Sequence, residues 1–576
     1  MPQSQALRTG RVLFPAILFS LFATLVVARL VQIQVFQHEQ YAAAAHNELE
    51  ATNTIYAARG SILDRNGHLL ATSVETWDLY ISAREWRDSL VAAQAANTIS
   101  VATGLDINLI LDSVEGIGFG DVLIARDVPY ETGLELIEAD VEGLITLRNS
   151  ARSYPEGDLA ASILGIIGTD NSGLAGIELF YEDVLRGEPG RVIYERDTAG
   201  DPIPFGLYIA VEAVGGHDVV LTIDRHLQKL AEEALDAAIE AHDAKGGAII
   251  ILDPNTGHIL AFATSPRLLY SELDLDDPEK VRLLRNVGIS DLFEPGSVMK
   301  VITAAAAINS GAVNPDTTYI DTGSVIIEDR EIKNWQDNIY GEQTMTEVLQ
   351  RSINTGAVFM AQEVGVLAFH NYLDAFGFGK PTGVDFPGEA TGLLRKPGDS
   401  DWSAVDLATQ SFGQSISVTP LQMVMAVAAA INGGRLLEPR FVRATISPEG
   451  VRTEIAPVVV GAPIRPDSSA IIREMLGKVV MESGYHPAEP DKYTAGGKSG
   501  TANVAVNAVY DDTQIISFVE FAPLDNPEIL VFVKIDENQD LLTGTAAAGP
   551  IAAALLDATL TYLNVEPDGR RYVEAR

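Results

Sequence analysis

A long apolar segment lies near the N-terminus of the chain. Residues 12–28 read VLFPAILFSLFATLVVA, two arginines and no acidic residue precede them, and LVQIQVF continues the apolar pattern after Arg29. About 20 apolar residues span a bilayer as a helix, and basic flanks remain on the cytoplasmic side. The pattern predicts one membrane anchor over residues 12–36, a cytoplasmic tail over residues 1–11, and the rest of the chain outside.

A cleaved signal peptide is the alternative for this segment. The nearest cluster of small residues, residues 42–45, lies well beyond the usual distance between an apolar core and a cleavage site. We therefore expect the helix to stay in the mature protein.

Residues 37–214 combine turn signals with alternating apolar and polar positions. In ARGSILDRNGHLLATSVETWDLYIS the alternation surrounds Asn66-Gly67, a dipeptide typical of hairpin turns. Residues 85–150 mix amphipathic helical patterns with short apolar strands and carry no recognisable chemistry. Turns and strands are predicted again after residue 150. The pattern predicts a β-rich domain with a structural lobe over residues 85–150.

A second domain is predicted from residue 215 onwards. DVVLTIDRHLQKLAEEALDAAIEAH predicts a strand and an amphipathic helix, and GGAIIILDPNTGHILAFATS predicts two strands joined by a turn. Helical patterns fill the middle, TQIISFVEFAPLDNPEILVFVKID adds two strands, and AAGPIAAALLDATLTYL predicts a final helix. Strands at both ends with helices between them predict one sheet, built from distant segments and covered by helices.

Composition narrows the classes of function. A chain of 576 residues exceeds one ordinary domain, so two or more are expected. The formal net charge of −39, with no basic run outside the first dozen residues, argues against nucleic acid as a partner. The absence of cysteine excludes disulfides, thiol catalysis and thiolate metal sites.

The segment EPGSVMKVITAAAAINSG places Ser297 and Lys300 at the start of a predicted buried helix. Residues three apart share a helix face, so the amine can take the proton of the hydroxyl. Burial lowers the pKa of a lysine, and the helix N-terminus offers N–H groups to a developing oxyanion. The alternative is a serine cap beside a lysine whose stem packs and whose ammonium reaches water.

Two further segments carry polar groups in similar settings. Ser352 and Asn354 in LQRSINTGAVFMAQEVG begin another apolar helix, where both side chains can face a cleft. Lys498, Ser499, Gly500 and Thr501 lie in TAGGKSGTANVAV, a predicted strand whose glycines permit close backbone approach by a ligand. Helix capping and an ordinary glycine-rich turn are the structural alternatives.

Taken in this order, Ser297-x-x-Lys300, Ser352-x-Asn354 and Lys498-Ser499-Gly500 resemble the three motifs of the penicillin-binding protein and serine β-lactamase superfamily. RGSILDRNG, YPEG, GIELFYEDVLRGEPG, EPGSVMK and ATQSFGQSISVTPLQM resemble the class B penicillin-binding proteins along most of the chain outside residues 85–150. Ser499 stands where many relatives have threonine, and Ile353 where many have serine or another small residue. Both departures preserve the hydroxyl and amide groups.

This resemblance implies a multidomain α+β protein. An N-terminal transmembrane helix would lead to an elongated β-rich pedestal over residues 37–214. A transpeptidase domain would follow over residues 215–563, with an antiparallel sheet covered by helices and an all-helical subdomain. Residues 564–576 would form a C-terminal tail.

The same resemblance implies a peptidoglycan D,D-transpeptidase of the bacterial cytoplasmic membrane that needs no metal or organic cofactor. Ser297 would be the nucleophile and Lys300 its base, while Ser352 relays a proton and Asn354 holds the substrate amide. The oxyanion hole would be formed by backbone N–H groups, and the terminal carboxylate would be bound beside Gly500. The residues implied for these two tasks are Ser297 and Thr501 for the oxyanion, and Lys498, Ser499 and Thr501 for the carboxylate.

The implied partners are stem peptides ending in D-Ala-D-Ala, β-lactams and a polytopic glycosyltransferase of the SEDS type. Two alternatives use the same motifs: a D,D-carboxypeptidase or β-lactamase that passes the acyl group to water, and a non-catalytic scaffold or β-lactam sensor. Division and elongation roles are not separated by the sequence. For RGSILDRNG, a hairpin holding Arg59, Asp64 and Arg65 in surface salt bridges stands beside a partner contact.

Overall fold

The computed structural model describes residues 6–41, 50–55, 57–118, 120–195, 208–482, 487–506, 509–538 and 542–569. Contacts divide the chain into two compact units. One comprises residues 1–58 and 187–215, and the other comprises residues 59–186 and 216–576. Parts of the two predicted tails, residues 1–5 and 570–576, lie outside the described residues.

The first unit contains the predicted apolar helix. Ala6–Val31 is α-helical and continues as a π-helical turn over Gln32–Phe36. Leu13–Phe36 has a mean hydropathy of 2.1 and is, within the described part of the chain, the one helix long and apolar enough to cross a membrane. A three-stranded antiparallel sheet in the same unit joins Glu50–Ile55, Gly190–Glu195 and Tyr208–Val211, in that order.

The second unit is built around a five-stranded antiparallel sheet, as predicted from its distant segments. The predicted turn DPNTG joins two antiparallel strands, and the strand that carries Lys498 forms one edge of the sheet. The strand order is Ile259–Ser265, Gly246–Leu252, Ile529–Asn538, Val509–Ala522 and Gly496–Val506.

Helices cover both faces of this sheet. Successive side chains of a strand point to opposite faces, so each face needs its own apolar cover. Arg225–His242 and Gly544–Tyr562 pack on one face. Met299–Ser310, Pro420–Ile431 and Pro466–Met481 pack on the other, where alanines and valines are buried almost completely.

A second, seven-stranded sheet crosses the predicted boundary at residue 215. Asp218–Leu221 pairs in parallel with Ile62–Leu63 and antiparallel with Val442–Ile446. Apolar residues of both predicted domains belong to one core. The strand order is Arg452–Glu454, Val442–Ile446, Asp218–Leu221, Ile62–Leu63, Leu69–Ser82 and Asp121–Pro129, and Leu144–Ser153 also pairs with Leu69–Ser82.

The lobe at residues 85–150 has a small core of its own. Trp77 and Trp86 are buried in it, and their indole N–H groups donate to the carbonyls of Tyr130 and Glu142. The mixed helix and strand pattern predicted here is confirmed. Its helices are Glu85–Arg87, Ser89–Thr103, Ile107–Asp112 and Tyr130–Glu138.

The hairpin predicted around Asn66-Gly67 is present, but its charges are not on the surface. Asp64 is fully buried, and its carboxylate accepts from the backbone N–H groups of Asn66 and His68 at 2.8 and 2.9 Å. Arg59 is 2% exposed and bonds to Glu178, which is fully buried. The interpretation as surface salt bridges is therefore wrong for Arg59 and Asp64, because both side chains anchor the hairpin inside the unit.

Glu178 belongs to a short helical segment where the sequence predicted turns and strands. Its carboxylate accepts from Arg59 at 2.6 Å and from Arg152 at 2.7 Å. Arg59 also pairs with Glu182 at 2.7 Å. The helices of this segment are Ala161–Leu164, Gly176–Phe180 and Glu182–Leu185.

The subdomain predicted to be all-helical also contains short two-stranded ribbons. Its helical parts are Tyr270–Glu272, Pro278–Arg282, Val287–Ser290, Trp335–Asp337, Met345–Gln350, Asn354–Val364, Val366–Ala375 and Ala404–Gln410. The ribbons pair Thr318–Asp321 with Gly341–Thr344, Ser324–Ile327 with Arg330–Lys333, Leu393–Leu394 with Ile416–Ser417, and Leu436–Leu437 with Val459–Gly461. The first two ribbons matter for function because the chain between them reaches the site described next.

Candidate active site

Three distant segments meet in a cleft of about 350 Å³. The 3-10 turn Gly296–Val298 carries Ser297 and leads into the helix Met299–Ser310. The helix Asn354–Val364 brings its first residue, and the edge strand Gly496–Val506 brings its central residues. All three predicted motifs therefore line one cavity.

Lys300 lies in the buried wall of the cleft and is surrounded by oxygen atoms. Its Nζ is 2.9 Å from Ser297 Oγ and 3.1 Å from Ser352 Oγ. It donates to the backbone carbonyl of Ser352 at 2.6 Å and to Asn354 Oδ1 at 2.8 Å. Lys300 is fully buried, whereas Ser297 is half-buried and faces the cleft. The pair predicted from sequence is thus in hydrogen-bond contact.

Both lysines of the site have lowered pKa values. Burial lowers the pKa of Lys300 well below its usual value, and the neighbouring amine of Lys498 lowers it further. Burial also lowers the pKa of Lys498, to about 7. Burial therefore favours the neutral amine of Lys300, which is the form that can accept a proton.

Ser352 connects the two lysines. Its Oγ lies 3.1 Å from Lys300 Nζ and 3.0 Å from Lys498 Nζ. The backbone φ of Ser352 is +56°, in the left-handed region that a non-glycine residue rarely adopts. This conformation lies between the helices Met345–Gln350 and Asn354–Val364, where the chain must turn sharply.

The orientation of the Asn354 amide follows from its two neighbours. Its Nδ2 donates to the carbonyl of Lys333 at 2.9 Å, and a carbonyl can only accept. Oδ1 is therefore the atom that faces Lys300, and an N–H of Lys300 must point towards it.

Lys498 and its neighbours lie on the edge strand of the five-stranded sheet. Lys498 is 1% exposed and donates to the carbonyl of Ser499 at 3.1 Å. Ser499 and Thr501 also line the cleft. The approach of a ligand to Gly500 stays a prediction, and the structure shows instead a close approach to protein backbone, since an added Cβ would lie 2.9 Å from the carbonyl oxygen of Pro295. The glycine thus lets the edge strand approach the 3-10 turn.

Gly413 supports the site and was given no role by the sequence reasoning. Its φ is +86°, and an added Cβ would lie 2.1 Å from the carbonyl oxygen of Gly296. The N–H of Gly296 donates to the carbonyl of Gly413 at 3.1 Å. The dipeptide Phe412-Gly413 in ATQSFGQS was a turn signal, but no local pattern showed that it packs against the turn that carries Ser297.

The chain between the first two ribbons was also missed. Lys333, Trp335 and Tyr340 line the cleft, together with Arg351. Asp321 holds this chain in place and is buried, and it accepts hydrogen bonds from four neighbouring residues. The donors are the N–H of Gly323 at 3.1 Å, Asn334 Nδ2, the N–H of Tyr340 at 2.8 Å and Thr355 Oγ1 at 2.6 Å. Asp321 and Thr355 are 34 residues apart, so sequence spacing gave no indication of the contact.

Comparison with known proteins agrees with this arrangement. The penicillin binding protein transpeptidase domain matches residues 247–557, which is more than half of the chain. The penicillin-binding protein dimerisation domain matches residues 54–221. The chain belongs to the penicillin-binding protein transpeptidase family.

Individual relatives extend the match over nearly the whole chain. Stage V sporulation protein D of Bacillus subtilis is 31% identical over 569 residues, covering 97% of this chain and 86% of that protein. Peptidoglycan D,D-transpeptidase FtsI of Escherichia coli K12 is 29% identical over 521 residues, covering 89% and 85%. The crystal structure of penicillin binding protein 3 from Mycobacterium tuberculosis complexed with aztreonam has a TM-score of 0.69 and 26% identity, covering 90% of this chain and 98% of that one.

Proposed function

We propose that this protein is a peptidoglycan D,D-transpeptidase that crosslinks stem peptides through an acyl-enzyme on Ser297. The observation that carries the proposal is the contact of 2.9 Å between Ser297 Oγ and the fully buried amine of Lys300. The relative named peptidoglycan D,D-transpeptidase, which this chain matches over 89% of its length, supports the same reaction.

The neighbours of Lys300 define where its lone pair points. A neutral amine has two N–H donors and one lone pair. The carbonyl of Ser352 and Oδ1 of Asn354 can only accept, so they take the two N–H groups. The lone pair is left to the hydroxyl groups of Ser297 and Ser352. Lys300 is therefore set to take the proton of Ser297 as Oγ attacks.

In the acylation step, Ser297 Oγ attacks the carbonyl carbon of the penultimate D-alanine. The backbone N–H groups of Ser297 and Thr501 stabilise the oxyanion that forms. Lys498, with the hydroxyls of Ser499 and Thr501, binds the C-terminal carboxylate and so fixes the peptide in the cleft.

The tetrahedral intermediate then breaks its C–N bond to the terminal D-alanine. The departing nitrogen needs a proton, and Ser352 can deliver one because it lies between Lys300 and Lys498. D-Alanine leaves, and an ester joins Ser297 to the shortened peptide. The amine of a second stem peptide attacks this ester, its C–O bond breaks, and Ser297 regains its proton through Lys300.

A β-lactam would undergo only the acylation half of this reaction. Its strained amide occupies the position of the D-Ala-D-Ala bond, and attack by Ser297 opens the ring without releasing a leaving group. The solved relative complexed with aztreonam supports β-lactams as ligands of this cleft.

We place the catalytic unit outside the cytoplasmic membrane. The apolar helix Leu13–Phe36 would anchor the chain, with the basic N-terminal residues inside. We retain a pedestal over residues 37–214, a transpeptidase domain over residues 215–563, and a polytopic glycosyltransferase of the SEDS type as the expected partner of the anchor and pedestal.

Fluorescent penicillin labelling tests the nucleophile. Full-length protein should be labelled covalently, and Ser297→Ala should not. Ser310→Ala is the matched control. Ser310 lies at the far end of the helix that follows Ser297, and this variant should be labelled like the wild type. Labelling of Ser297→Ala at the wild-type rate would overturn the assignment.

Product analysis tests the reaction class. A donor stem peptide with an amine acceptor should yield a crosslinked dimer and free D-alanine. Release of D-alanine with only a shortened monomer would instead identify a hydrolase.

A further inference from the structure

The cleft is lined by basic side chains in a protein whose net charge is −39. Lys333, Arg351 and Lys498 line it, and its described lining contains no aspartate or glutamate. A cleft lined by one sign of charge concentrates ligands of the opposite sign. The C-terminal carboxylate of a donor peptide accounts for Lys498, so Lys333 and Arg351 remain to be explained.

Arg351 is an exposed cation of the cleft lining, and it interacts with the charge of Glu347 without a direct ion pair. The pKa of Glu347 is lowered by its hydrogen bonds to a neighbouring residue and, to a smaller extent, by the charge of Arg351. Among the described residues its guanidinium makes no hydrogen bond and no ion pair, and its Cζ lies 5.6 Å from the centre of the Tyr340 ring. Lys333, by contrast, pairs with Asp337 at 3.2 Å.

The carboxylate closest to Arg351 along its own helix is already engaged. Glu347 Oε2 accepts from the N–H of Thr344 at 2.8 Å and from its hydroxyl at 2.9 Å, which closes a capping box. The guanidinium of Arg351 therefore remains available to a ligand in the cleft.

We propose that Arg351 binds a second carboxylate of the donor stem peptide, in addition to the C-terminal carboxylate bound by Lys498. This inference rests on the proposed transpeptidase function and narrows its substrate class to peptides that keep this internal charge. Two positions can supply it: the α-carboxylate of a γ-linked D-glutamate at residue 2, and the side-chain carboxylate of a diamino acid such as diaminopimelate at residue 3. Amidation removes either charge.

The distances along both chains are compatible. Arg351 directly precedes Ser352, so their Cα atoms are about 3.8 Å apart, and the arginine side chain extends several ångströms further. An extended peptide advances about 3.4 Å per residue, which puts residues 2 and 3 of the stem within two residue lengths of the alanine that is attacked. A guanidinium also matches a carboxylate with two parallel hydrogen bonds.

The test compares matched pentapeptides with full-length protein. One peptide carries both internal carboxylates, one is amidated at residue 2, and one is amidated at residue 3. Each is assayed by D-alanine release and by competition with fluorescent penicillin for Ser297. The variants are Arg351→Gln, Arg351→Lys and, as a matched control, Arg330→Gln on the neighbouring ribbon.

In the wild type we expect kcat/KM for the peptide with both carboxylates to be about 10-fold higher than for the peptide amidated at the position that binds Arg351. This ratio corresponds to the loss of one hydrogen bond to a charged group. Arg351→Gln should lower this ratio to about 1, Arg351→Lys should keep part of it, and Arg330→Gln should keep all of it. The position whose amidation lowers kcat/KM in the wild type is the one that contacts Arg351. A loss at residue 2 or at residue 3 supports the inference.

Two results would overturn it: no preference in the wild type, or an unchanged preference in Arg351→Gln. Either would leave the proposed function intact as long as penicillin still labels Ser297 in the wild type. Failure of that labelling would count against the proposed function itself.

Discussion

Lys300 combines two properties that proteins seldom put in one side chain, complete burial and direct contact with a hydroxyl facing a cleft. Burial disfavours the ammonium form, and four oxygen neighbours fix the amine in place. Because burial keeps water from solvating the ammonium form, the side chain favours the neutral amine, which can act as a base.

Replacing Lys300 by methionine should separate activity from stability. The second-order rate of acylation by penicillin should fall by about 10²–10⁴-fold, the usual contribution of a general base. The melting temperature should change little, because methionine has a similar length and no charge to bury, which offsets the donor lost by the carbonyl of Ser352 and Oδ1 of Asn354. Lys229→Met, on an exposed helix position, is the control. A rate near that of the wild type would contradict the role of Lys300.

Lys498 should make the stability of the protein depend on pH. Its pKa is about 7 in the folded chain and 10.5 in the unfolded chain. Between these values the unfolded chain binds a proton that the folded chain does not, so the free energy of unfolding rises with pH. Urea unfolding at about pH 7 and about pH 9 should show this rise, and Lys498→Met should reduce it. An equal rise in the variant would assign the effect to other groups.

At the scale of elements, the site depends on the chain between the first two ribbons. Asp321 fixes Asn334 and Thr355, and the carbonyl of Lys333 orients the amide of Asn354. The first turn of the helix that carries Asn354 is thereby tied to a surface ribbon.

Asp321→Asn should weaken both this ribbon and the reaction. An amide has one acceptor oxygen where the carboxylate has two, so at least one buried donor loses its partner, at a cost of about 1–3 kcal/mol in unfolding free energy. Penicillin acylation should slow because Asn354 is less well held. Asp316→Asn, at an exposed position nearby, should change neither quantity. Wild-type acylation in Asp321→Asn would show that the ribbon does not position Asn354.

Glu178 forms buried ion pairs with two arginines. Glu178→Gln leaves Arg59 and Arg152 buried beside a neutral amide, which should lower the free energy of unfolding by about 3 kcal/mol. Chemical denaturation measures the difference, with the exposed Glu131→Gln as control. If Glu178→Gln lowers the free energy of unfolding no more than Glu131→Gln does, Arg59 and Arg152 have found other partners.

At the scale of the whole molecule, the predicted pedestal and transpeptidase domain share structure. The strand Asp218–Leu221 pairs with Ile62–Leu63, and Ile163 and Ile177 lie in the same core as the helix Met299–Ser310. The predicted boundary at residue 215 therefore does not separate two independent cores, because residues on both sides bury each other's apolar surface.

A fragment of residues 215–563 should therefore be much less stable than one of residues 59–576. The shorter fragment loses a strand pairing and exposes apolar surface that is buried in the complete unit. Thermal unfolding followed by circular dichroism measures both fragments. A cooperative transition of the short fragment at the same temperature would show that its domain folds independently.

The sequence alone determined the apolar N-terminal helix, most of the long elements and the residue types of the site, but not the helices around Glu178 or the ribbons beside the cleft. The apolar run near the N-terminus, the two hairpin turns, the strands at both ends and the helix that begins near Ser297 all follow from local periodicity, which a single segment encodes. The residue types and order of the three motifs indicated an acyl-transfer site through their resemblance to the penicillin-binding protein and serine β-lactamase superfamily.

Only the tertiary structure decided what those groups experience. The lowered pKa values of Lys300 and Lys498 arise from burial by residues that are remote in sequence. The same holds for the burial of Arg59 and for the position of Arg351 in the cleft lining, with its guanidinium over the Tyr340 ring. Periodicity is a property of one segment, whereas burial, electrostatic environment and convergence depend on how distant segments pack, and local sequence does not specify that.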